Sequence, residues 1–188
     1  MKKIALFASG NGSNFQAIID EIERGNLKAE IAVLVTDNPG CFAVKRAQNH
    51  QIPVFAFHPK NYASKEEYEK EILLFLIEKN VSLIVLAGYM RLIGEVLLFE
   101  FSNRIINIHP TLLPAFPGKN GIQQAYNYGV KIYGVTVHFV DSGIDTGKII
   151  AQECFKAEEN ETLPEIEQKI HAIEHRLYPK IIGEILYG

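Results

Sequence analysis

The sequence predicts an α/β domain built on a doubly wound, mostly parallel sheet, with an antiparallel edge in the C-terminal half. Three observations carry this. Apolar runs without polar alternation recur along the first half, as expected of strands covered on both faces. Helical patterns separate them, so successive strands run parallel. In the second half, two strand-like runs follow one another across a turn, which permits antiparallel pairing. Right-handed crossovers then narrow the topology to a doubly wound sheet.

Residues 4–8 form the first apolar run, followed by the turn Ser9-Gly10-Asn11-Gly12-Ser13 and a helical pattern over 14–24. A β-branched run at 30–36 ends in Asn38-Pro39-Gly40, a turn signal. Residues 41–49 read as a helix and 53–57 as a short strand. Ser64 and Glu67 have capping-box spacing and open a helix reaching residue 80. The run 81–87 is wholly apolar and belongs at the sheet centre. A helix at 94–101 leads to a strand at 104–108, which Pro110 terminates because proline cannot donate to a ladder. Strands at 135–140 and 148–155 follow, then an amphipathic helix over 163–187 with Pro179 as a point of kinking. No repeat, linker or low-complexity stretch interrupts this order, so one domain spans 1–188.

At 188 residues, 47% hydrophobic and 22% charged, the chain can bury a sizeable core. A formal net charge of −3 gives no electrostatic reason to expect nucleic acid or an anionic membrane as partner. Cys41 and Cys154 are too few for a disulfide framework, which favours a reducing compartment. The apolar run after Met1-Lys2-Lys3 stops at Ser9, too soon for a signal peptide, and no run approaches a membrane span. The expectation is a soluble, cytoplasmic protein, monomeric or homodimeric.

The most informative residues are Asn107, His109 and Asp145. Asn107 and His109 lie two apart, so on a strand their side chains leave one face. Asp145, in the run HFVDSGIDTG, can reach them from a loop. An amide, an imidazole and a carboxylate suit acyl transfer: an oxyanion donor, a proton carrier and a group that tunes it. Asp145 can instead be simply part of a turn. His138, on the TVHFV strand, could join His109 and Asp145 in a zinc-like set, but no HxxxH spacing or nearby cysteine supports a metal. No GxSxG elbow occurs, and neither cysteine has a base beside it in sequence, so a nucleophile would come from the substrate. The glycine turn lies beyond a strand's carboxyl end, where backbone N–H groups favour an anion. Gly10 and Gly12 match a dinucleotide fingerprint, but Phe15 stands at its third glycine. A monophosphate site and a plain capped turn both fit.

With these residues in hand, the chain resembles the phosphoribosylglycinamide (GAR) formyltransferases, folate-dependent transformylases of purine synthesis. The likeness rests on FASGNGSN at 7–14, LAGYMRL at 86–92, INIHPTLLPAFPG at 106–118, GVTVHFVDSGIDTGKII at 134–150 and IEHRLYP at 173–179. It implies N10-formyltetrahydrofolate as formyl donor, the GAR amine as acceptor, no metal, and small molecules as the only substrates. It further implies a phosphate-binding half at about 1–100 and a catalytic, folate-binding half at about 101–188. By resemblance, Gly12, Ser13 and Asn14 bind the acceptor phosphate and Glu174 approaches its ribose. Lys65, Met90, Arg91, Leu92, Ile93, Val140 and Asp141 lie on the folate side with Asn107. Asn107 and His109 would hold the oxyanion, with Asp145 tuning His109.

Departures from the family pattern are Asn120 for a histidine, Lys148 for a proline and Thr111 for a serine. Rival readings are another formyltransferase, a formyltetrahydrofolate hydrolase, and a non-catalytic nucleotide-binding module. A methionyl-tRNA formyltransferase would need a further tRNA domain, for which 188 residues leave no room. A basic surplus suited to tRNA is also missing.

Overall fold

A computed structural model describes residues 1–188. Seven strands form one sheet in the order β3-β2-β1-β4-β5-β6-β7. They are β1 (Lys2–Phe7), β2 (Ala29–Thr36), β3 (Val54–Ala56), β4 (Val81–Leu86), β5 (Ile105–His109), β6 (Ile132–Phe139) and β7 (Ile149–Lys156). The first five pair in parallel, and β6 and β7 are antiparallel to their neighbours. This is the sheet that the pattern of apolar runs predicts.

Pleating explains why the central runs carry no polar residues. Ile4 and Leu6 join Leu83, Val85, Ile106 and Ile108 in the core on one face, whereas Ala5 and Phe7 join Ile84, Leu86 and Ile105 in the core on the other. Successive residues point to opposite faces, and helices cover both. The first face is covered by α1 (Ser13–Glu23), α2 (Phe42–Asn49), α5 (Gly121–Tyr128) and α6 (Leu163–Tyr187). The second is covered by α3 (Lys65–Glu78) and α4 (Glu95–Glu100).

Helix starts follow local chemistry. Ser64 Oγ accepts from the Glu67 N–H, but Glu67 returns its carboxylate to the Ala63 N–H, one residue before the expected reciprocal partner. A full capping box instead opens α6, where Thr162 and Glu165 satisfy each other's backbone N–H groups. That helix runs continuously through Pro179.

Two further features differ from the sequence expectation. Helix α5 was not anticipated. It is eight residues long, starts on a left-handed Asn120 without a side-chain cap, and ends at a left-handed Gly129. Its start lies among Pro, Gly and Asn residues that read as loop. Strand β6 begins at Ile132 rather than at 135, because Tyr133 stacks on Phe155 across the ladder with centroids 5.9 Å apart. Gly134 lets the backbones approach there, since a Cβ would collide with the Glu153 carbonyl.

One buried hydroxyl ties the last helix to the strands beside the site. Tyr178, fully buried on α6, lies 2.9 Å from the Leu86 carbonyl of β4 and 3.1 Å from the Ile106 carbonyl of β5, and donates to them. Tyr178→Phe should lower the unfolding free energy by about 1–3 kcal/mol, the cost of leaving buried acceptors short of a donor. Denaturant unfolding checks this, and an unchanged midpoint would show the hydroxyl to be dispensable.

Candidate active site

The sheet changes from parallel to antiparallel between β5 and β6, and the polar residues gather there. Asn107 pairs with His138 and His109 with Thr136 across that ladder. Asp145 reaches in from the β6–β7 connection. Its carboxylate is the hub: Oδ1 accepts from Asn107 Nδ2 at 3.3 Å, and Oδ2 accepts from the Gly118 N–H at 2.8 Å. Oδ2 lies 3.3 Å from His109 Nδ1, and Oδ1 lies 3.5 Å from His138 Nε2. The three residues singled out in the sequence therefore meet, and His138 joins them.

The sequence suggests His138 only as a member of a zinc-like set. Its Nδ1 lies 2.8 Å from the Phe139 carbonyl and its Nε2 3.3 Å from Asn107 Nδ2. Nδ1–H donates to that carbonyl, and Nε2 lies within reach of both Asn107 and Asp145: it accepts from the amide when the ring is neutral and donates to the carboxylate when the ring is protonated. In the neutral form both amide hydrogens of Asn107 are directed, one to Asp145 and one to His138. Asn107 and His138 stand directly opposite across the β5–β6 ladder and so share a sheet face, a pairing that only the register reveals. Although His109, His138 and Asp145 converge, no group of three or more His, Cys, Asp or Glu side chains is disposed to hold a metal ion.

His109 is buried and held at both ends. Nε2 lies 2.9 Å from the Phe116 carbonyl, and Nδ1 faces Asp145. Both nitrogens thus face acceptors, which a ring carrying both N–H groups satisfies. Two residues around this ring adopt left-handed backbone: Phe116 at φ 54° and Asp145 at φ 55°. For a bulky Phe that conformation is strained. Burial pushes the Asp145 carboxyl up, but hydrogen bonds from His138 and Gly118 and the nearby histidine charges outweigh it and hold the group below its ordinary value.

On the glycine-turn side, Gly12 is the N-cap of α1, left-handed at φ 73° and without a side-chain cap. A Cβ there would lie 2.9 Å from Ala43 Cβ, so α2 also demands glycine. The first-turn N–H groups of α1 are therefore left without a side-chain cap. Asn14 Oδ1 is buried with no partner. Arg46 donates to Asn11 Oδ1 at 3.0 Å and to Asn11 O at 2.9 Å, bracing the turn. Glu174 is buried on α6, with Oε2 2.7 Å from His171 Nδ1, an interaction that pushes His171 up. No hydrogen bond joins Glu174 to the turn.

The segment 90–93 leaves β4 toward solvent. Met90 and Leu92 are exposed, whereas Ile93 is buried. Lys65 donates from Nζ to the Leu92 carbonyl at 3.0 Å, so it braces this segment. Arg91 Nε donates to Asp37 Oδ2 at 2.8 Å, and Ser9 Oγ donates to Asp37 Oδ1 at 2.5 Å. The Met90 N–H donates to Ser9 Oγ at 2.9 Å, closing a ring that joins three loops far apart in the chain. Val140 packs beside the second core and donates its N–H to the Ile105 carbonyl. Asp141 uses Oδ1 within its own loop, accepting from Gly143 N–H and Thr146 Oγ. Lys148 accepts from the Phe139 N–H through its backbone carbonyl, a role that a proline could also fill.

A mixed doubly wound sheet with an amide, two imidazoles and a carboxylate at its parallel–antiparallel junction, flanked by a glycine turn, defines an α/β group-transfer domain. The chain belongs to the formyl transferase family, which matches residues 2–182. It is 52% identical to a phosphoribosylglycinamide formyltransferase of Bacillus subtilis (strain 168), covering 99% of this chain and 95% of that one. A crystal structure of phosphoribosylglycinamide formyltransferase from Bacillus halodurans superposes with TM-score 0.95 at 52% identity, covering 99% and 96% of the two chains. Glycinamide ribonucleotide transformylase 1 from Geobacillus kaustophilus gives 0.96 at 50% identity, with 99% of each chain covered. No helix is long and apolar enough to cross a membrane.

The Asp145 environment makes a pH prediction. A carboxyl held below its ordinary value of 3.8 adds stability that is present above the unfolded-state value and lost as pH falls through the lower folded value. Unfolding free energy should therefore fall more steeply with acid in the wild type than in Asp145→Asn, from about pH 4 downward. Urea titrations across that range measure it. Parallel curves would show that Asp145 gains nothing from its partners.

Proposed function

We propose that this enzyme transfers the formyl group of N10-formyltetrahydrofolate to the amine of GAR, giving formylglycinamide ribonucleotide and tetrahydrofolate in purine biosynthesis. The single observation that best supports this is the meeting of Asn107, His109 and Asp145 at the end of β5. The family's chemistry calls for such a set, and the formyl donor is a folate derivative. GAR and the folate are the proposed partners, for a cytoplasmic monomer or homodimer acting without nucleic acid, membrane or metal.

The acceptor amine attacks the formyl carbon, forming a C–N bond and a tetrahedral oxyanion. Asn107 supplies an amide hydrogen to that oxygen, exchanging the hydrogen bond it makes to Asp145 or His138. His109 keeps Nε2 on the Phe116 carbonyl, so its Nδ1, facing Asp145, is the nitrogen that exchanges a proton. Collapse breaks the bond from the formyl carbon to N10. The amine releases one proton and N10 receives one, relayed by His109 with Asp145 balancing the imidazolium charge.

The acceptor's phosphate is assigned to the N–H groups of Gly12, Ser13 and Asn14 at the uncapped start of α1, where an anion is favoured. Glu174 is assigned to the ribose. The donor is assigned to the side formed by Lys65, Met90, Arg91, Leu92, Ile93, Val140 and Asp141. In this reading residues 1–188 act as one domain, with acceptor binding in the first half and catalysis with folate binding in the second.

Loss of an oxyanion donor costs about 2.7–4 kcal/mol of barrier. Asn107→Ala should thus lower kcat by about a hundredfold or more, followed through folate absorbance with GAR as acceptor. Near-normal turnover by a folded variant would remove the oxyanion role.

A further inference from the structure

The His109 ring is fixed by a pair of residues that never touch substrate in the proposed reaction. Thr111 is buried, and its hydroxyl donates to the Ala115 carbonyl at 2.7 Å, with the Phe116 carbonyl 3.4 Å away. Its methyl projects toward Gly121, the first residue of α5. A Cβ on Gly121 would lie 2.7 Å from Thr111 Cγ2, 3.0 Å from the Phe116 carbonyl oxygen and 3.3 Å from His109 Nε2. The space that glycine leaves is therefore the space in which the His109–Phe116 hydrogen bond is made.

None of the neighbours can yield cheaply. Thr111 is β-branched, and rotating its methyl away would pull the hydroxyl off the Ala115 carbonyl. Its own carbonyl accepts from Thr136 Oγ at 2.7 Å, and Thr136 Oγ in turn accepts from the Leu113 N–H and from Gln152. Phe116 is already in left-handed backbone, so its carbonyl has little freedom to turn. Shifting it would lengthen the 2.9 Å bond that sets the imidazole's rotation and leaves Nδ1 facing Asp145.

We propose that Thr111 and Gly121 form a matched positioning pair for His109, in which the threonine methyl fills the place of the absent glycine Cβ and the two together hold the Phe116 carbonyl on His109 Nε2. This rests on the reading of His109 as the proton carrier. The pair acts through His109, so its loss should lower kcat while leaving the KM values for GAR and the folate near their original levels. Gly121 has ordinary backbone, so alanine there meets only the space problem.

The test is a double-mutant cycle on the full-length enzyme with GAR and formyl-folate, alongside His109→Ala. Gly121→Ala should lower kcat about tenfold or more, for a barrier change of about 1.4 kcal/mol or more. Adding Thr111→Ser removes the methyl, keeps the hydroxyl, and should recover at least half of that loss on a logarithmic scale. The imidazole Nε2 proton resonance of His109 should lose its hydrogen-bonded shift in Gly121→Ala and regain it in the double variant. A general packing defect would lower stability without this paired recovery of rate and resonance.

An inactive His109→Ala with a fully active Gly121→Ala would overturn the pair while leaving the reading of His109 intact. So would a double variant no better than Gly121→Ala. A fully active His109→Ala would overturn the reading of His109 and the pair's role with it. Should Gly121→Ala fail to fold, Thr111→Ser alone decides the matter. It keeps the hydroxyl but loses the methyl that fills the glycine's space, so kcat should fall and the Nε2 resonance should shift; both unchanged would overturn the proposal.

Discussion

The Asp145 carboxylate is the constraint around which the site is organised. It accepts from Asn107 on β5 and from the Gly118 backbone, and it faces both His109 and His138. Four groups from two adjacent strands and a Pro-Gly loop thus share one anion. Its side chain is only 12% exposed, so solvent screens these interactions weakly. Burial alone would favour the neutral acid, and the surrounding donors reverse that preference. The charge that organises the site is therefore itself maintained by the groups it organises.

The sheet's change of direction makes this convergence possible. After α5 the chain returns as β6 antiparallel to β5, which places His138 beside Asn107, and the β6–β7 loop folds back to bring the Asp145 carboxylate to both. Tyr178 then fixes β4 and β5 from beneath through two carbonyls, one of them next to Asn107. Left-handed backbone at Phe116 and Asp145 stores strain at the two residues that flank His109. Such strain persists only where the surroundings over-determine the conformation, and the Thr111–Thr136–Gln152 hydrogen bonds behind the loop provide that determination.

Legibility in the sequence followed the range of the interactions. The apolar runs at β1, β2 and β4 needed only their own composition to be read, because both faces are buried by helices. Asn107 and His109 were legible because strand periodicity is local. Asp145 was legible as a candidate, but its left-handed conformation depends on contacts with Gly118 and His109 distant in sequence. His138 was seen without its partner Asn107, since the β5–β6 register is a tertiary fact. Helix α5 stayed hidden because Asn120 and Gly121 carry turn chemistry, although Ile122, Ala125 and Tyr126 keep helical spacing and Gly129 marks the end. The Ser9–Asp37–Arg91 ring was beyond reach, as it joins three loops separated by dozens of residues.

That ring also bears on how the two substrate sides are related. Ser9 opens the glycine turn, and Met90 and Arg91 open the segment assigned to the folate; Asp37, at the end of β2, receives hydrogen bonds from Ser9 and Arg91. The strands carrying these loops are neighbours at the point where the sheet order reverses, the place in such folds where ligands bind. Addition to a formyl carbon requires the acceptor amine and the donor to meet within about 3–3.5 Å. Loops anchored separately would let small errors add between them. Anchoring both on one buried hydroxyl and one carboxylate makes their spacing a property of the sheet. In the proposed reaction the residues at the end of β5 then work on a gap set by β1, β2 and β4, so the N-terminal strands contribute to it without supplying a catalytic group.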